Sequence, residues 1–287
     1  MNDPANNAVQ HIYFLSNRTA ITAETLGQSL LAQFPTVNFA SVTIPYVDTE
    51  KKALAIVDRI KKSHKESTLR PIVISTMADE AIMAVIHQSG ALVLDPFERF
   101  LPELEATLHS HSIHEAGQSH RISNVSLYES RINAIDFSLM HDDGSTTKLY
   151  DETDIIIVGV SRSGKTPTCL YLALQFGLKA ANYPITEEDM ESEFLPKTID
   201  KYRKKLFGLT TDPNRLAHIR EERRPNSRYA SIEQCRFEIK SAEHMFEHYR
   251  IPFINTATMS IEEIATKVVE VTGLQRIRKQ QISQIIP

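Results

Sequence analysis

The chain has 287 residues, 41% hydrophobic and 24% charged, with a formal net charge of −4 and a pI near 6.3. This is the balance of a soluble globular protein with room for one large or two medium domains. It excludes the global basic excess of a nucleic-acid binder and any apolar run approaching the ~18 residues of a membrane span.

Residues 1–9 lack the basic and apolar regions of a secretory signal and read as a flexible tail. From there, apolar runs alternate with helical patterns. Strands are predicted at His11–Ser16, Val37–Val47, Pro71–Thr76 and Ala91–Leu94, and helices at Thr22–Phe34, Glu50–His64, Asp79–Gln88 and Phe100–Ser110. The alternation predicts an N-terminal doubly wound parallel sheet over residues 10–120. Ser16-Asn17-Arg18-Thr19 falls at the carboxyl end of the first strand, where open α/β sheets place ligands. The same string suits an ordinary helix N-cap equally well. Residues 109–124 carry His109, His111, His114 and His120 without apolar periodicity, so they read as a linker or surface excursion more readily than as a metal site.

Residues 121–287 read as a second domain, of the P-loop kinase-like α/β class. Tyr128–Met140 has a helical or mixed pattern and leads into the polar turn His141-Asp142-Asp143-Gly144. The apolar run Ile155–Val158 then delivers Gly159, Val160, Ser161, Arg162, Ser163, Gly164, Lys165 and Thr166, a complete G-x-x-x-x-G-K-[ST] phosphate loop. A helix from Gly164 to Phe176, closed by Gly177, would leave the loop with its backbone N–H groups aimed at phosphate. Lys165 is the expected β/γ-phosphate contact, and the Thr166 hydroxyl the expected Mg²⁺ ligand. Further strands are predicted at Ala180–Pro184 and Pro252–Thr256, and helices at Lys197–Leu206, Asn214–Arg224, Ser231–Tyr249 and Ile261–Thr272. Cys169 and Cys235 form neither a disulfide framework nor a metal spacing and read as core residues of a cytoplasmic protein.

Two further groups are candidates for chemistry. Asp142 and Asp143 precede a glycine, as turns favour, but either carboxylate could also accept a hydroxyl proton or hold a metal. The segment from Lys197 to Arg228 carries ten basic residues against four acidic ones. It reads either as a solvated helix face or as a phosphate lid carried by Arg220, Arg223, Arg224 and Arg228. No apolar run ending in an aspartate is apparent after the loop; Ala91–Asp95 has that look but reads as a strand end leading into Pro96.

Several strings together resemble the bacterial bifunctional kinase/phosphorylase regulators of phosphoenolpyruvate synthase and pyruvate, phosphate dikinase. They are Thr19–Glu24, His141–Gly144, Gly159–Thr168, Ala180–Pro184, Lys205–Thr210, Arg215–Arg224 and Ser227–Ser231, in order along most of the chain. The 205–231 block is most similar to the synthase-type branch. The resemblance implies ADP-dependent phosphorylation of a threonine on phosphoenolpyruvate synthase, which inactivates it. It also implies removal of that phosphate by inorganic phosphate, with release of pyrophosphate. Mg²⁺ and a homodimer fit the same picture. Where the family reads Ser-Asp-Gly-Thr or a close variant, this chain has Ser16-Asn17-Arg18-Thr19, losing an acid and gaining a cation. Two other readings are a P-loop small-molecule kinase of the shikimate or nucleotide-kinase type, and a nucleotide-binding switch. The absence of an Asn-Lys-x-Asp string speaks against a guanine-reading switch.

Overall fold

The computed structural model describes residues 9–67, 69–113, 125–192 and 194–274, without the side chains of 125–128. The tail expected over 1–9 (Val9 excepted), together with His114 and His120, lies outside the described residues. The chain divides between Ile122 and Ser123 into two compact units, each holding a four-stranded parallel sheet.

The first unit runs β1 (Gln10–Leu15), α1 (Ile21–Leu31), β2 (Phe39–Ile44), α2 (Glu50–Glu66), β3 (Ile72–Ser75), α3 (Glu80–His87), β4 (Leu92–Leu94) and α4 (Pro96–Leu108), with strand order β2-β1-β3-β4. Successive β1 side chains point to opposite faces. Tyr13 and Leu15 enter one cluster with Val57, Ile60 and Ile86, while Ile12 and Phe14 enter another with Ala23 and Ile74. A sheet apolar on both faces must be covered by helices on both, which is the doubly wound arrangement. In α2, Thr49 caps by accepting from Lys52 N–H, and Ala53, Ile56, Val57 and Ile60 form the buried stripe. Each large aliphatic side chain buried there contributes roughly 1.5–3 kcal/mol.

The string Ser16–Thr19 does not cap α1: Ala20 holds that position at φ 62° without a side-chain bond, and Ser16 Oγ accepts from Arg18 N–H instead. Asp95 caps α4 by accepting from Phe97 and Glu98 N–H, so that helix starts at Pro96 and not at Phe100.

The second unit runs α5 (Val125–Met140), a 3₁₀ turn (Asp142–Gly144), β5 (Ile155–Gly159), α6 (Lys165–Tyr171), β6 (Ala180–Pro184), α7 (Glu187–Glu191), α8 (Lys197–Asp200), β7 (Leu206–Thr210), α9 (Pro213–Arg223), α10 (Ile232–Tyr249), β8 (Phe253–Asn255) and α11 (Ile261–Thr272). Its strand order, β6-β5-β7-β8, repeats that of the first unit although no sequence repeat is visible. The helix expected over Lys197–Leu206 breaks into α8 and a 3₁₀ turn at Arg203–Lys205. The strand that follows, β7, escapes sequence reading because of Gly208, a residue depleted in strands. A Cβ at Gly208 would meet the Phe246 ring and Phe253 Cβ at 2.7 Å, so glycine lets α10 and β8 close on β7. The helix after the phosphate loop ends at Tyr171 and continues as a π turn over Leu172–Phe176 before Gly177.

Candidate active site

All five residues of β5 are buried, which fixes the point where the chain enters the loop. At Gly159 the backbone passes so close to β7 that a Cβ would lie 2.4 Å from the Leu209 carbonyl oxygen. Beyond it the loop turns through two left-handed residues, Arg162 at φ 74° and Gly164 at φ 92°. α6 then leaves the loop, its first turn closed by Thr168, whose N–H and Oγ1 both donate to the Gly164 carbonyl. Strand, loop and helix follow one another in the order that the motif requires.

Lys165 is 4% exposed, and its Nζ donates to the Val160 carbonyl at 2.9 Å. Burial pushes its ammonium down to about 8, against the pull of Asp143 and Asp142, which favour the charged form. The folded-state value lies below the unfolded one, so the unfolded chain binds more protons between pH 8 and 10.5. Burial therefore penalises stability in full below about pH 8, and the penalty fades as pH rises to about 10.5. Lys165→Met is expected to raise unfolding free energy at pH 7 by roughly 2–4 kcal/mol, the gain shrinking toward pH 10.5. Urea unfolding at pH 7 and pH 10 measures it; an equal gain at both pH values would contradict this origin.

The polar turn is held beside the loop by β6. Asn182 N–H donates to the His141 carbonyl at 3.0 Å, and Asp143 takes the left-handed conformation at φ 50°, which aspartate tolerates. As a result Thr166 Oγ1 donates to Asp142 Oδ1 at 2.8 Å. Asn182 Nδ2 lies 2.5 Å from Asp142 Oδ1, 3.0 Å from Thr166 Oγ1 and 3.2 Å from Asp143 Oδ1. Three oxygens thus converge on one amide group, while Asn182 itself is 1% exposed and its Oδ1 has no partner. A hard cation suits that donor set, since Mg²⁺ takes one or two carboxylates or hydroxyls and completes its shell with water and phosphate oxygens. Among the described residues no group of three or more His, Cys, Asp or Glu could hold a metal by itself.

A cleft of about 250 Å³ opens over the loop, lined by Ser161, Arg162, Lys165, Thr166, Asp143 and Arg223 among others. Of the four arginines read as a phosphate lid, Arg223 therefore faces the loop. Arg224 and Arg228 are exposed, the latter 3.8 Å from Glu187. Arg220 is neither a lid nor a solvated face, which corrects both readings: it is fully buried and pairs with Glu238 at 2.6 Å. Contrary to expectation, an apolar run after the loop does lead to an acid: Leu206–Thr210 is followed by Asp212. That carboxylate is committed to capping α9 through Asn214 and Arg215 N–H. Asp142, from upstream of the loop, is the acid that meets Thr166. Asn182 went unnoticed in the sequence, where the available signal was a lone polar residue inside the otherwise apolar stretch of β6.

The sequence model of the kinase/pyrophosphorylase family matches residues 12–269. The chain belongs to that family. Among similar proteins, one from Marinobacter nauticus is 50% identical over 266 residues, covering 93% of this chain and 98% of the relative. One from Pseudomonas aeruginosa is 50% identical over 264 residues, covering 92% and 96%. A Legionella pneumophila relative is 49% identical over 267 residues, covering 93% and 98%. Each bears the provisional name phosphoenolpyruvate synthase regulatory protein. Family membership supports a phosphotransferase activity. Among the described residues no helix is long and apolar enough to cross a membrane.

Proposed function

We propose that this chain regulates phosphoenolpyruvate synthase in both directions, as a kinase that uses ADP and as a phosphorylase that uses inorganic phosphate. The observation that carries the reading is the contact of Asp142 with the Thr166 hydroxyl. It completes a phosphate loop whose downstream acid, Asp212, is committed to a helix cap, and leaves Asp143 at the cleft. The relatives' names supply the target.

In the kinase direction the target threonine oxygen attacks the β-phosphorus of ADP. The bond from that phosphorus to the bridging oxygen breaks, AMP leaves, and Asp143 takes the threonine proton. In the phosphorylase direction an oxygen of inorganic phosphate attacks the phosphothreonine phosphorus. The bond to the threonine oxygen breaks, pyrophosphate leaves, and Asp143 relays the proton of the attacking hydrogen phosphate to that oxygen. Both directions hold two adjacent phosphates, so one loop serves both. Loop amides and Lys165 bind the pair, while Arg162 and Arg223 face the charge that spreads over the transferred group. Mg²⁺, held by Thr166 Oγ1 and Asp142 with Asp143 and Asn182 beside it, would neutralise charge on the phosphate oxygens. On this reading the protein works in the cytoplasm beside its target, without nucleic acid or membrane.

Purified chain, phosphoenolpyruvate synthase and ADP labelled in its β-phosphate provide the test. Label is expected on a synthase threonine, and subsequent phosphate is expected to release it as pyrophosphate. Label from the γ-phosphate of ATP instead, or label on a small acceptor alone, would overturn the reading.

A further inference from the structure

Arg220 is buried, charged and absent from the cleft, and nothing in the proposed chemistry uses it. Its guanidinium spans four oxygen acceptors. Nη1 donates to Glu238 Oε1 and to the Tyr229 carbonyl, both at 3.1 Å. Nη2 donates to Glu238 Oε2 at 2.6 Å and to the Ser161 carbonyl at 3.0 Å. The plane also lies over the Tyr229 ring, 4.1 Å from its centre, and the Tyr229 hydroxyl bonds Ser161 Oγ at 2.9 Å. Ser161, a loop residue with no sequence-specific role in the motif, is therefore gripped at both its carbonyl and its hydroxyl.

The grip has a consequence for the loop. The Ser161 carbonyl and the Arg162 N–H belong to one planar trans peptide, in which the two groups point in opposite directions. Holding the carbonyl on Arg220 turns the Arg162 N–H away from the buried guanidinium. It also anchors the peptide that enters Arg162, a residue in the left-handed conformation that a side chain with a Cβ does not adopt readily. We infer that Arg220, locked by Glu238 and backed by Tyr229, is a positioning residue that presets the phosphate loop for its ligand. This rests on the reading of the loop as a phosphate cradle. Arginine is needed for geometric reasons: an ammonium at that point could not serve Glu238, Tyr229 and Ser161 together in a planar fork.

The test is equilibrium binding of ADP to the full chain, with kinetics at saturating ADP and an unfolding curve for each variant. Tyr229→Phe removes only the hydroxyl and keeps the ring under the guanidinium. It is expected to weaken ADP binding roughly five-fold, the value of one net hydrogen bond, with kcat retained and the unfolding temperature little changed. Arg220→Lys is expected to weaken binding further than Tyr229→Phe; should it fail to fold, Tyr229→Phe decides. Wild-type ADP affinity in Tyr229→Phe overturns the inference, because a purely structural cluster would alter the unfolding curve and leave binding untouched. Lys165→Ala is the control: ADP affinity lost there but kept in Tyr229→Phe sinks the positioning role alone. Affinity kept in Lys165→Ala as well sinks the phosphate-cradle reading beneath it.

Discussion

Lys165→Ala is expected to lower both ADP-dependent phosphorylation and phosphate-dependent release by at least ~10³-fold while the protein stays folded. The reason lies in where the ammonium is kept. Its Nζ reaches the Val160 carbonyl within the loop, so it needs only a small movement to meet a phosphate placed on the loop amides. Burial disfavours its charge, and a bound diphosphate would favour that charge by direct contact. Ligand and lysine therefore favour each other's ionised form. Radiolabel transfer and pyrophosphate release, assayed on the same preparation, read both activities. Full activity in either direction would show that the loop does not hold the reacting phosphates there.

The two aspartates of the turn are expected to separate by the kind of loss they cause. Asp142 is half-buried and engaged by Thr166 and Asn182, whereas Asp143 is exposed at the cleft. Asp142→Asn is expected to weaken Mg²⁺ affinity roughly 10–100-fold, because an amide replaces a charged oxygen in the converging set. Asp143→Asn is expected to lower turnover by about 10²–10⁴-fold with ADP affinity nearly unchanged, the signature of a lost general base. Mn²⁺ binding followed by electron paramagnetic resonance reads the first, and single-turnover kinetics the second. The reverse pattern would exchange the two roles, and unchanged turnover in both variants would return the turn to simple backbone geometry.

What the sequence made legible was local. Ile155–Gly159 announces a buried strand by its β-branched run, and the spacing of Gly159, Gly164, Lys165 and Thr166 announces the loop, because both signals lie within a dozen neighbours. The alternation that produced the two parallel sheets is local in the same sense. What stayed hidden depended on distance. Asp142 meets Thr166 across 24 residues, through a turn fixed by the backbone of Asn182 on a neighbouring strand, and no spacing rule encodes that. Arg220 lies in a stretch dense in charge, where solvent exposure is the ordinary expectation. Its burial follows from Glu238 on α10, which a linear reading has no reason to pair with it. β7 was masked by a glycine whose purpose appears only once Phe246 and Phe253 are packed over it.

The central claim is that one loop cradles two adjacent phosphates in both directions. The most direct measurement is pyrophosphate release from phosphorylated synthase at varied inorganic phosphate, with a non-transferable ADP analogue as inhibitor. A single shared cradle predicts that the analogue competes with phosphate, raising its KM without changing kcat. It also predicts that the inhibition constant matches the analogue's dissociation constant from the loop. Inhibition that lowers kcat and leaves the phosphate KM unchanged, or no inhibition at saturating analogue, would mean two separate sites and contradict the claim.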